Sequence, residues 1–268
     1  MPGKNELEEG VPRNELQKQM GEIIELELGG ENRVRIAEQG GTILSWEIGN
    51  KSIIPEYFEK KSGSYRGGVP VCFPFFGPAP ESMKEEIGQH GWLREEKLQV
   101  ADRKDHKQDN KIQQAILFGE NKSTSSYPWR LRYVITHKIT ANSLETILRV
   151  KRLEDGQTNG APINPAFHPY FAKISNIKID KKNQTFLLEG GDFGLDINDS
   201  SDIFFNTEAG KIQMETNGFN KLWLWTDNQG EYGCLEPVLQ APGKFNTEEG
   251  KFLKPDEEVK FKMILKRI

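Results

Sequence analysis

The chain has 268 residues, of which 35% are hydrophobic and 28% charged, enough to bury a substantial core in one large β domain or two small ones. Its formal net charge of −4, with no basic stripe, argues against a nucleic-acid partner, and no apolar run is long enough to span a bilayer. Cys72 and Cys234 lie far apart among apolar neighbours and the N-terminus has no signal-peptide core, so reduced thiols and a cytoplasmic location are the default expectation.

Residues 1–21 are polar and read as a loose arm, with room for a short helix over Asn14–Met20. From residue 22 to 268 the pattern predicts a single all-β domain. Alternating runs at Ile23–Leu28, Arg33–Ile36 and Thr42–Ile48 are punctuated by Gly29-Gly30, Gly40-Gly41 and Gly49-Asn50, the signature of antiparallel hairpins. Strand signals resume at Lys97–Val100 and Lys111–Phe118 around the hydrophilic turn Asp102–Asn110. Leu131–Ile139 and Leu144–Val150 form a long hairpin. Ile174–Ile179, Thr185–Glu189, Ile212–Thr216, Leu222–Thr226, Tyr232–Leu235 and Val259–Leu265 follow. With no helical period past residue 20, two large packed antiparallel sheets are the economical architecture.

Three islands break this alternation. Tyr65–Arg94 mixes glycines and prolines with Val69, Val71, Phe73, Phe75 and Phe76, and reads as a constrained loop lying across a concave surface. Arg66, His90 and Arg94 on it would line a site for a polar, ring-shaped ligand; the alternative is a buried prolyl-aromatic plug with two surface arginines. The second island, Ala161–Phe171, sets His168 between Phe167 and Pro169, either as a satisfied core imidazole or as a functional one. The third, Tyr232–Val238, carries Glu236 at a strand end before Pro237. That carboxylate either points at solvent or is desolvated, and desolvation would make it a better proton acceptor near neutrality. His106 in a polar turn and His137 in an alternating strand are assigned no role.

Taken together the islands resemble one family, the aldose 1-epimerases (mutarotases) of the galactose-mutarotase-like superfamily, with features of its hexose-6-phosphate 1-epimerase branch. The matching pieces are Arg66–Gly77, His90–Arg94, Phe167–Phe171 and Cys234–Pro237, in the family's order and approximate spacing. The resemblance implies a large antiparallel β-sandwich with an open concave face. It implies that His168 is the general acid at the ring oxygen and Glu236 the general base at the anomeric hydroxyl. It also implies that His90 helps hold the sugar and that Asp202 hydrogen-bonds its hydroxyls, with Asp196 and Asp199 as neighbouring alternatives. Arg66 and Arg94 match positions that bind phosphate in the hexose-6-phosphate branch.

Anomers interconvert by opening the hemiacetal, rotating about C1–C2 and closing again, and one acid and one base suffice. The expected partner is therefore a sugar or sugar phosphate, with no cofactor and no metal. His168 and Glu236 should face each other about a pyranose ring's width apart. Trp92, Trp223, Trp225 or Phe75 could stack on the sugar's apolar face, with core packing expected for at least half of them. A free aldose is the first expectation for the substrate and glucose-6-phosphate the second. Two rivals belong to other classes. A non-catalytic carbohydrate-binding sandwich has no need of both His168 and Glu236, and a metal enzyme would use His90, His168 and Glu236 as ligands.

Overall fold

The computed structural model describes residues 7–9, 13–59, 65–105, 111–121, 123–180, 182–186, 191–226, 232–247 and 250–268. His106, the end of the predicted turn 102–110 and the end of the predicted strand 185–189 lie outside them. Among the described residues the chain is almost wholly β, and every paired strand runs antiparallel to its neighbours. No helix there is long and apolar enough to cross a membrane.

Among the described residues three sheets have four or more strands, against the two large sheets expected. The nine-stranded sheet is centred on Glu258–Arg267, with the hairpin Leu131–Ile139/Ser143–Arg152 beside it. A four-stranded sheet carries Ile23–Leu28, Asn32–Ala37, Ile43–Ile48 and Lys51–Ile54 in sequence order. A six-stranded sheet gathers the short strands around Tyr232–Val238. One continuous core joins them, because alternate residues of each strand point inward: Ile24 and Val34, Leu117 and Ile135, Leu148 and Phe261, Leu222 and Leu235 are all buried in it. The hairpin therefore shows the cleanest alternation in the sequence and in the structure.

The N-terminal segment departs from the loose-arm expectation. Arg13–Met20 is an α-helix, and Leu16 and Met20 pack with Ile23, Ala37 and Leu44. Two apolar residues four apart on one helical face are enough to dock so polar a helix. The histidine and arginine inventory is divided between structure and site. His137 is fully buried; its Nε2 bonds the Gly41 carbonyl at 2.8 Å and its Nδ1 meets Thr146. Arg152, also buried, donates to the carbonyls of Asn159, Gln157 and Leu253 and pairs with Asp155 at 3.1 Å.

The loop of the first island is pinned by close backbone crossings. Gly68 adopts φ +64°, and a Cβ there would lie 1.9 Å from the Ile43 carbonyl oxygen, which already accepts the Val69 N–H at 2.7 Å. Gly91, at φ +78°, would bring a Cβ to 2.1 Å from the Phe73 oxygen. Only glycine fits either crossing. Gly30 has a similar φ of +72° with nothing within 4 Å, so it isolates the backbone cost alone. In chemical denaturation Gly30→Ala should lose about 1 kcal/mol and Gly68→Ala at least about 3, the excess measuring the clash. Equal losses would show that the crossing relaxes freely.

Candidate active site

The six-stranded sheet positions the site through its register. Its order is Gly191–Asp196, Lys221–Thr226, Tyr232–Val238, Ala166–Phe167, Val71–Cys72, with Tyr170–Ala172 also paired to Tyr232–Val238. Ala166 lies opposite Val238 and Tyr170 opposite Cys234. Continuing that register across the break at His168-Pro169 sets His168 opposite Glu236. On the other side Glu236 faces Trp223 and Cys234 faces Trp225, which in turn faces Asp192. Side chains two apart share a face, so His168, Tyr170, Glu236, Cys234, Trp223, Trp225 and Asp192 project to one side. The residues between them, Phe167, Phe171, Leu222, Leu224 and Leu235, point the other way into the core.

The sequence expectation ended this strand at Leu235, but it runs on to Val238 with Pro237 opposite Leu222. A proline is admissible there because the ladder on the far side is already interrupted at His168-Pro169. Glu236 thus lies within a strand, only 1% exposed, rather than at a solvent-facing end.

The functional face forms part of a cavity of about 800 Å³. His168, Glu236, Tyr170, Trp223, Trp225 and Asp192 line it from the sheet. Arg66, Pro70, Phe76, His90 and Arg94 line it from the first island, and Gln19 and Met20 from the N-terminal helix. The island is therefore a lining and not a plug. Of the sequence-predicted site residues, His168, Glu236, His90, Arg66 and Arg94 come together. Of the aromatics named for stacking, Trp223 and Trp225 reach the cavity, whereas Phe75 is buried against Phe245 and Trp92 packs on Phe73 and Tyr127.

Asp202 is not brought to the cavity. It precedes the strand Ile203–Thr207 of the nine-stranded sheet, where its N–H bonds Asp180 Oδ1 and its carbonyl accepts the Asp180 N–H. Asp196 pairs with Lys221, and Asp199 accepts from Asn217 and the Gly218 N–H, so neither alternative is at the cavity. The aspartate that lines it is Asp192, whose Oδ1 accepts the indole N–H of Trp223. Its strand was not anticipated, because the surrounding Glu189-Gly190-Gly191-Asp192-Phe193-Gly194 lacks the alternation of a strand.

His168 Nδ1 lies 3.4 Å from Glu236 Oε1. The two are closer than the ring's width expected, because adjacent strands hold them side by side. That Nδ1 and both Glu236 oxygens are buried yet have no hydrogen-bond partner. Unpaired buried polar atoms are costly, and three together mark a site organised for a ligand rather than for stability. Burial pushes the Glu236 carboxyl well above its ordinary range, helped by Asp192. Burial pushes the His168 imidazole well below its own, helped by His90, Arg94 and Arg66.

His90 is set at φ +66° between Gly77 and Gly91. Its N–H bonds the Gly77 carbonyl at 2.8 Å, and its Nδ1 accepts the Gly77 N–H at 3.1 Å. Desolvation, and then Arg94, lowers its pKa to about 4, so near neutrality it is uncharged. With Nδ1 accepting, the ring proton is on Nε2, which makes His90 a fixed neutral donor. Its ring meets that of His168 edge to face at 5.4 Å, while His168 stacks on Tyr170 at 4.8 Å. These contacts fix the orientation of the imidazole beside Glu236.

Comparison with known proteins bears on the family and the fold. Residues 22–232 match the family model for aldose 1-epimerase. A curated protein from Salmonella typhimurium, provisionally named a glucose-6-phosphate 1-epimerase, is 26% identical over 58% of this chain and 51% of its own length. The match thus spans about half of that relative. Among solved structures, the Slr1438 protein of Synechocystis sp. PCC 6803 superposes with a TM-score of 0.73 at 19% identity, covering 91% of this chain and 95% of its own. A protein from Escherichia coli K12, provisionally named an aldose 1-epimerase, superposes with a TM-score of 0.71 at 18% identity, over 91% and 98%. At these identities the structural matches establish the fold.

Proposed function

The chain belongs to the aldose 1-epimerase family, and on that premise we propose that it is an enzyme interconverting the α and β anomers of a hexopyranose, acting in the cytoplasm. The observation that carries this reading is the buried, unpartnered pair His168–Glu236 beside the cavity, 3.4 Å apart. O1 and O5 of a pyranose are bonded to the same carbon. Two proton-transfer groups side by side on neighbouring strands can reach both from below.

In the forward sense Glu236 takes the proton from O1 while His168 gives one to O5. The C1–O5 bond breaks, and the open aldehyde rotates about C1–C2. Ring closure on the other face returns each proton to its donor, so the enzyme is restored and no atom is gained or lost. Before substrate enters, the shifts described above place the pair's shared proton on the carboxyl. The ion-pair form differs from it only by moving that proton from Glu236 to His168. Each transfer is typically worth on the order of a hundred- to ten-thousand-fold in rate. Trp223 and Trp225 offer the faces on which a sugar stacks, and Asp192 and His90 Nε2 offer an acceptor and a donor for its hydroxyls.

A second reading, hexose-6-phosphate as substrate, is favoured by one observation: both Arg66 and Arg94 line the same cavity. The proposal is tested by polarimetry of freshly dissolved α-glucose and, in parallel, α-glucose-6-phosphate, at catalytic amounts of protein. Accelerated approach to the equilibrium rotation is expected for at least one of them. Neither sugar responding while the protein remains folded would leave the non-catalytic binding sandwich as the better account.

A further inference from the structure

We infer that the catalytic cleft holds a second, inhibitory site for a thiophilic divalent cation of the zinc class, formed by His168, Cys234 and Glu236. Their ligand atoms, an imidazole nitrogen, the thiol sulfur and a carboxylate oxygen, all lie within 4.8 Å of one another. The spacing suits a metal. Two ligands at tetrahedral angles on zinc–nitrogen and zinc–oxygen bonds stand about 3.3 Å apart, and His168 Nδ1 to Glu236 Oε1 is 3.4 Å.

The placement follows from the sheet. Cys234 and Glu236 are two apart on one strand and so share its face, and His168 faces Glu236 across the neighbouring break. Neither cysteine is in a disulfide. Glu236 and His168 are 1% and 7% exposed, and three of their polar atoms have no partner. A cation would supply to these atoms the partner they lack. Glu236 and the Cys234 thiolate would bring two negative charges, with Asp192 a third nearby. Arg66 and Arg94 oppose a cation here, so micromolar affinity is expected rather than the tightness of a structural zinc site. Three protein ligands leave the fourth position open to the cavity for water.

Occupancy would silence the enzyme. The metal would take the Nδ1 lone pair of His168 and an oxygen of Glu236, leaving neither free for proton transfer. Binding releases two protons to solvent, one from the Cys234 thiol and one from the Glu236 carboxyl, and no redox change is involved. The consequence for turnover rests on the proposed catalytic roles, whereas the binding itself rests on geometry.

The test separates the two. Protein freed of metal with a chelator is titrated with Co²⁺, whose thiolate ligation gives a charge-transfer absorption in the near ultraviolet. One equivalent should saturate that band, and Zn²⁺ should displace it. Cys234→Ser should abolish the band and weaken Zn²⁺ binding at least about tenfold, while Cys72→Ser should leave both unchanged. Zn²⁺ should suppress anomer exchange over the range in which it displaces Co²⁺. Relative to its own metal-free rate, Cys234→Ser should resist Zn²⁺.

No thiolate band in the wild type, or a band that survives in Cys234→Ser, overturns the inference. Equal sensitivity of wild type and Cys234→Ser to Zn²⁺ does so as well. Should Cys234→Ser misfold, the wild-type band decides by its presence, and Cys234→Ala repeats the comparison. A saturable band in a protein that moves no anomer would uphold the metal site and reject the catalytic reading.

Discussion

Glu236→Gln and His168→Asn are each expected to lower kcat for anomer exchange by roughly two to four orders of magnitude, with the fold intact and KM little changed. Both substitutions preserve size and remove the group that carries the proton. Neither should destabilise the protein. The wild-type atoms are buried without partners, and a neutral amide in their place costs about as much to desolvate as the protonated carboxyl or neutral imidazole it replaces. The double variant should be little worse than either single one, because acid and base act as a unit. Anomer exchange measured by polarimetry, with circular dichroism as the folding control, decides it. A folded variant with near wild-type turnover would make that residue structural.

The pH dependence of the wild type follows from the directions of the two shifts. Burial raises the Glu236 carboxyl and lowers the His168 imidazole. Over the interval between them the pair holds one proton. A second proton is added at the depressed His168 pKa, and the last is lost at the raised Glu236 pKa. The rate should therefore be flat between the two titrations and fall on both sides. Those limbs report the pair rather than its individual members. His90 titrates near 4 and should deepen the acid limb.

Much of the scaffold was legible from the alternation of side chains. Leu131–Ile139 was placed to the residue, and its hairpin partner extends from the expected Leu144–Val150 to Ser143–Arg152. Of the strands that build the site, Lys221–Thr226 and most of Tyr232–Val238 were legible too, but the short ones were not. Val71–Cys72, Ala166–Phe167 and Tyr170–Ala172 are two or three residues long and interrupted by proline, too short to show a period of two. The site residues His168, Glu236, His90, Arg66 and Arg94 stood out as islands breaking the alternation, the family resemblance supplied their expected roles, and all five line one cavity. The resemblance failed for the aspartate, because spacing alone cannot tell which sheet a short polar strand joins. Asp202 went to the nine-stranded sheet and Asp192 to the six-stranded one. The N-terminal helix was read only as a possibility within a loose arm, because the apolar face that docks it is only Leu16 and Met20.

Arg66→Met and Arg94→Met should each raise KM for glucose-6-phosphate by roughly ten- to a hundredfold, if the cavity takes a phosphorylated sugar. That is the worth of a charge-assisted hydrogen bond, about 1.5–3 kcal/mol, at 1.4 kcal/mol per factor of ten. The two arginines reach the cavity from different supports. Arg94 is carried by the short 3-10 helix Leu93–Glu95, whose backbone packs on Gly40. Arg66 follows the strand pairing of Tyr57 and sets its guanidinium 5.5 Å from the Trp225 ring centroid. Both line the same cavity, and both charges bear on His168 and on Tyr170. A phosphate dianion needs that convergence, and a free hydroxymethyl group does not. The discriminating quantity is the ratio of effects. A guanidinium that binds phosphate harms the phosphorylated sugar and spares glucose. One that merely holds Trp225 or the loop harms both alike, since a misplaced stacking face serves neither sugar. Steady-state anomer exchange with the two sugars gives the ratio for each variant. Equal KM increases would reject the phosphate site and leave a free aldose as the substrate.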